Sequence, residues 1–189
     1  MTVPTMPSRV PAGATPEGDG VIVGNGPVRV DAFIDFLCPF CRRFELASGP
    51  SLASMVTGHR ISLAYHPMNF LDQASTTHYS TRAAAASGCA ADQDRFLDYL
   101  HALFVDQPPE GGAGLSDAEL IAVGQSVGLT QGFADCVSQG TYLDWPPYVT
   151  ARASSAGVEA TPTVLVAGVA VPAETEAITF AVQQVSARR

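Results

Sequence analysis

Hydrophobic and polar positions change period several times along this chain, and the changes mark its elements. Val28, Val30, Ala32, Ile34 and Phe36 occupy every second position of VRVDAFIDF, with little polarity between them. That predicts a well-buried strand over 28–36. GVIVG at 20–24 predicts a short strand before it. RISLAYHPM at 60–68, with Ile61, Leu63 and Tyr65 in alternation, predicts a further core strand. Between the last two, Cys41, Phe44, Leu46, Leu52 and Met55 suggest a helix. It is expected to start near Cys38 and to be interrupted at Gly49-Pro50. Pro39 suits its first turn, where a missing N–H costs little. Strand, helix, strand is the order of a βαβ unit with a parallel pair.

The middle of the chain is helical in character. STTHYSTRAAAASGCAA (75–91) is Ala-rich and opens on capping residues. In 92–104, Phe96, Leu97, Leu100, Leu103 and Phe104 share one helical face. QPPEGGAG (107–114) is a loop, and SDAE (116–119) is a capping-box pattern ahead of Leu120, Ile121, Val123 and Val127. A short helix over 130–140 follows, and Asp144 is positioned to cap another, with Pro146 and Pro147 in its first turn. The period then returns to that of strands. ATPTVLVAGVAVPAE (160–174) predicts a hairpin around Ala167-Gly168, and Ile178, Val182 and Val185 predict a closing amphipathic helix, with Arg188-Arg189 at its C-terminal end. No internal repeat is visible.

The 189 residues suit one domain, or one domain with an insertion, and 47% apolar residues suffice for a substantial core. A formal charge of −8 argues against a nucleic-acid partner and offers no basic patch to a lipid surface. No run reaches the length of a membrane-spanning helix. Residues 1–19, rich in Pro, Gly and small side chains, read as a flexible or extended lead-in. They lack the basic start and apolar core of a secretory signal, which leaves an internal protein or a mature, trimmed chain.

Three readings compete for the pair Cys38 and Cys41. Structural zinc needs four ligands, and the remaining candidates, Cys89, Cys136, His59, His66, His78 and His101, are scattered with no second close pair. A purely structural bridge across two residues closes too small a ring to gain much chain entropy. Redox exchange is favoured by physics: a thiolate at a helix start meets unpaired N–H groups and the positive end of the helix dipole. Cys38 would then sit at the exposed cap as the attacking sulfur. Cys41, one turn further in, would resolve the mixed disulfide. His78 and His101, on predicted helices, read more simply as surface or packed residues. Tyr142, Trp145 and Tyr148 read as core or rim packing, or as one wall of a groove.

FIDFLCPFC, followed far downstream by GVEATPTVLVAG, resembles the thioredoxin superfamily and, within it, the DsbA-like disulfide oxidoreductases. The resemblance implies an α/β thioredoxin-like fold whose βαβ half (20–72) and ββα half (158–189) flank a helical insertion (73–157). It implies a cis bond before Pro162, with Thr161 and Pro162 beside the cysteines and, with Phe40, facing an extended substrate peptide. It also implies a second, structural disulfide between Cys89 and Cys136, and hence an oxidising, extracytoplasmic setting; a cytoplasmic one stays open. The buried acid that such proteins often carry six positions before the first cysteine is replaced by Ala32. Asp35 matches another common acid of the family and is the candidate for proton transfer; its plainer reading is a solvated charge at a strand end. The activity implied is thiol–disulfide exchange with cysteine-containing proteins or peptides and an unidentified redox partner, leaning toward oxidation, with no cofactor and no metal. A glutathione-linked or other small-molecule enzyme on the same fold, and a non-catalytic peptide-binding module, are the alternatives.

Overall fold

A computed structural model describes residues 5–188 of the chain. Five strands, β1 (Val21–Val23), β2 (Val28–Ile34), β3 (Ile61–Pro67), β4 (Thr163–Val166) and β5 (Val169–Val171), form one sheet in the order β1-β3-β2-β4-β5. β2 and β3 run parallel, and every other pair is antiparallel. Val28, Val30, Ala32 and Ile34 are wholly buried, as their alternation requires of a central strand. The crossover from β2 to β3 is α1 (Pro39–Thr57). Helices α2 (Tyr79–Ala91), α3 (Phe96–Val105), α4 (Asp117–Ser126), α5 (Gln131–Ser138) and α6 (Trp145–Ser155) lie between β3 and β4, and α7 (Thr175–Ala187) closes the chain. Arg188 follows α7 as its C-cap, and Arg189 lies outside the described residues.

Several boundaries depart from expectation for identifiable reasons. α1 is not interrupted at Gly49-Pro50; it runs through both. Pro50 is on the exposed side, as is Leu46, whose carbonyl loses its N–H partner there and can be satisfied by water. Gly49 faces inward, where a Cβ would clash with the Glu45 carboxylate. The glycine therefore makes room for a buried carboxylate rather than ending the helix. α2 begins at Tyr79 and not at Ser75. His78 takes a left-handed conformation, φ 53°, and Ser75 accepts the Tyr79 N–H from outside the helix. Asp144 precedes α6 without a side-chain cap, while the Ser116–Glu119 capping box forms as the pattern predicts.

The lead-in is not flexible throughout. Residues 1–4 lie outside the described region, but 11–20 are pinned to the body. Ala12 N–H donates to Asp92, Trp145 Nε1 donates to Gly18 O at 2.8 Å, and Tyr148 OH donates to Glu17 O at 2.6 Å. A segment too polar to form a core of its own is thus held by backbone acceptors that buried aromatic donors must find. Tyr142, Trp145 and Tyr148 are all buried, and they do not line the groove beside the cysteines.

Candidate active site

β2 delivers the cysteine pair to the middle of the sheet. The strand ends at Ile34, the chain turns, and Cys38 becomes the N-cap of α1 with extended backbone (φ −71°, ψ 118°). Its carbonyl accepts the first helical bond, from Arg42 N–H at 3.1 Å, and Pro39 takes the first helical position, where no N–H is needed. Thr163, the first residue of β4, pairs with Phe33 near the end of β2. Antiparallel register therefore carries Thr161 and Pro162, more than 120 positions downstream, to the start of α1. The Thr161–Pro162 bond is cis. In its thiol form Cys38 Sγ donates to Thr161 O at 3.4 Å.

Both cysteines are free thiols, in unlike surroundings. Cys41 is completely buried and accepts Asp35 N–H at 3.5 Å. Burial pushes its thiol well above the ordinary range, and the neighbouring Cys38 adds to the rise. Cys38 is pulled down to about 6: the Cys41 side chain supports its thiolate most, opposed by burial, and the Cys41 backbone, the Thr161 side chain and the Phe40 backbone contribute further hydrogen bonds. The sulfur is not at an open cap. Cys38 is 4% exposed, with the Thr161 carbonyl against its sulfur, and Cys41 is 0% exposed.

Asp35 is not a solvated strand-end charge. It lies just past the strand, so the alternation of β2 no longer governs it, and it is fully buried. Oδ1 accepts Leu37 N–H at 2.8 Å and Ser80 OH at 2.6 Å, and Oδ2 accepts Leu71 N–H at 2.9 Å. Desolvation raises its carboxyl to about 6, with those three hydrogen bonds pulling the other way and the charge of Cys38 adding to the rise. Ala32, where an acid was missed, is wholly buried in β2.

Phe40 is 59% exposed beside the pair, with the Arg43 guanidinium 4.5 Å from its ring centroid. Phe40, Phe44, Ala47, Thr161, Pro162 and Glu174 are among the residues lining an open groove of about 710 Å³. The sequence pointed to Phe40, Thr161 and Pro162 but not to Arg43, Ser80 or Gln107. Gln107, in the loop after α3, donates to two carbonyls of the cysteine loop. Nothing in periodicity or spacing marks Ser80 or Gln107, because each acts through a contact made across the fold, while Arg43 meets Phe40 one turn away on the same helix.

Cys89 of α2 and Cys136 of α5 are bonded, 47 positions apart, and tie two insertion helices together. The histidines are dispersed. His66 lies between Asp19 and Asp31, His59 bonds Asn25, His78 lies 3.6 Å from Asp72, and His101 lies 3.5 Å from Glu45.

A mixed sheet with a parallel pair at its centre, a helix begun by two unlike thiols and a cis-proline loop bonded to the first of them define a thiol–disulfide oxidoreductase of the DsbA kind. The family model described as thioredoxin matches residues 17–184, and the chain belongs to that family. The chain is similar to the reduced disulfide oxidoreductase DsbG of Mycobacterium tuberculosis, with 33% identity, TM-score 0.79, and 90% of this chain and 88% of that one covered. It is also similar to reduced DsbA of the same organism, with 34% identity, TM-score 0.72, and 80% and 84% covered. MdbA of Actinomyces oris shares the fold at 18% identity, with TM-score 0.76 and 93% and 92% covered. Among curated proteins, the serine/threonine-protein kinase PknE of Mycobacterium tuberculosis is 36% identical over 134 residues, which is 66% of this chain. The matched stretch spans about a quarter of the kinase, 24% of its length. Among the described residues no helix is long and apolar enough to cross a membrane.

Proposed function

We propose that the chain oxidises cysteine pairs in substrate proteins or peptides, with Cys38 as the exchanging sulfur and Cys41 as its disulfide partner, the resolving sulfur when exchange runs in the reducing direction. The observation that carries this reading is the split between the two thiols, one lowered to about 6 and the other raised by burial. A stabilised Cys38 thiolate favours the reduced protein, which makes the Cys38–Cys41 disulfide more oxidising and Cys38 the better leaving group.

The oxidised pair would react in two steps. A substrate thiolate attacks Cys38 Sγ; the Cys38–Cys41 bond breaks, a mixed disulfide forms, and Cys41 leaves and takes up a proton. A second substrate thiolate then attacks the substrate sulfur and Cys38 departs as thiolate. The substrate loses two electrons and the cysteine pair gains them. Asp35 is the proton donor and acceptor of this reading. Its backbone N–H touches the Cys41 sulfur, and a carboxyl near 6 exchanges protons readily at neutral pH. Phe40, Thr161 and Pro162 hold the substrate as an extended segment in the groove. The Cys89–Cys136 bridge supports an extracytoplasmic setting, where a separate redox partner would reoxidise the pair.

Cys38→Ser is expected to reduce turnover to background in both insulin-reduction and peptide-oxidation assays; unchanged turnover overturns the assignment. The direction is tested by equilibrating the pair with glutathione. A reduction potential well to the oxidising side supports oxidation, and one near that of thioredoxin overturns it. In single turnovers of oxidised protein with a peptide thiol, Asp35→Asn should remove a rate midpoint near pH 6.

A further inference from the structure

Backbone polar groups of the turn from Asp35 to Cys38 find partners both inside the turn and beyond it. Three are met from within or by Asp35: Cys38 N–H bonds Asp35 O at 3.1 Å, Leu37 N–H bonds the Asp35 carboxylate, and Asp35 N–H faces the Cys41 sulfur. Two carbonyls of the turn, those of Phe36 and Cys38, converge on one atom, the second while also accepting Arg42 N–H. Gln107 Nε2 donates to Phe36 O at 2.9 Å and to Cys38 O at 3.0 Å, using both of its hydrogens. Gln107 is half-buried in the loop between α3 and α4, on the insertion rather than on the half of the fold that bears the cysteines.

We propose that Gln107 is a positioning residue for Cys38: its amide clamps the carbonyls on either side of the turn and sets how well the sulfur holds a negative charge. The clamp acts in two ways. The Cys38 carbonyl also accepts the first helical bond of α1, so fixing its direction fixes the helix start on which the sulfur sits. The amide also brings the positive end of its dipole to the loop that carries the sulfur. No other side chain from the insertion bonds this pair of carbonyls among the described residues. The insertion thereby tunes a sulfur that the thioredoxin-like half carries.

The inference rests on reading Cys38 as the exchanging sulfur, but its test reads the charge on that sulfur and not turnover, so the two fail separately. Thiolate absorbance at 240 nm would be followed against pH in the reduced protein. Gln107→Met keeps the length and removes both donors. A rise of one unit in the Cys38 midpoint would cut its thiolate fraction at pH 6 about fivefold. Gln107→Glu places a carboxylate against two carbonyls beside the thiolate, and the loss should be larger. The reduction potential of the pair should move to the reducing side in the same order. A Cys89→Ala, Cys136→Ala double variant loosens the insertion without touching the turn and should leave the thiolate curve in place. Superimposed curves for wild type and Gln107→Met overturn the proposal, whatever the change in melting temperature. So does an equal shift in the double variant, which would mean that general loosening is responsible.

Discussion

The chain holds two cysteine pairs that face opposite problems. Cys89 and Cys136 lie 47 positions apart on two helices and are joined. Cys38 and Cys41 lie three apart at one helix start and are free. Closing a loop of 47 residues removes much freedom from the unfolded chain and stabilises the fold by about 4 kcal/mol in the chain-entropy picture. Closing the small ring at 38–41 removes little. What the second pair has instead is an imbalance: one sulfur wedged against hydrogen-bond donors, its neighbour sunk in the core. Distance along the chain makes a cysteine pair structural, and unequal surroundings make one reactive.

Breaking the reactive pair should have the largest effect. With Cys41→Ser, turnover should fall to background while a mixed disulfide between Cys38 and a disulfide-bearing substrate accumulates, visible as a mass adduct. Absence of the adduct would deny Cys38 the attacking role. Next in size is removal of the structural pair. Cys89→Ala with Cys136→Ala should cost about 4 kcal/mol in denaturant unfolding, with exchange kinetics preserved where the variant stays folded. Loss of exchange in the folded variant would mean that the pairs are not separate. The smallest effect is in pH dependence. Cys38 titrates lower folded than unfolded, so it stabilises the reduced protein fully above the unfolded value of about 9 and loses that contribution as pH falls toward 6. Asp35 is shifted the other way, mainly by burial, and its contribution is lost as pH rises through about 6; the Cys38 charge adds to that rise in the reduced form alone. The melting difference, reduced minus oxidised, should therefore climb between pH 6 and 9. A flat difference would show that the folded protein does not favour the thiolate.

Much of this was legible before any coordinates. The alternation in β2, the capping box at Ser116 and the CPFC spacing are local signals, set by side-chain periodicity and by the needs of helix ends. Legibility failed where a long-range contact overrode a local rule. Gly49-Pro50 reads as a break, yet the helix continues because the glycine admits the Glu45 carboxylate and the proline faces water. Residues 11–20 read as loose, yet α6 supplies aromatic donors for their carbonyls. Asp35 read as a proton-transfer candidate or as a solvated charge at a strand end, and three donors from three separate segments hold it buried.

By itself, the order of residues determined the strand and helix sequence and the position of Cys38 at a helix start, because each depends on neighbours within a turn or two; the return of Pro162 to Cys38 was legible only through the family resemblance. The burial of Cys38 against Thr161, the rise of Asp35 and the reach of Gln107 from the insertion belong to the tertiary structure alone. Charge on a sulfur depends on every donor within a few ångströms, and here those donors come from parts of the chain that only the packing of sheet and helices brings together.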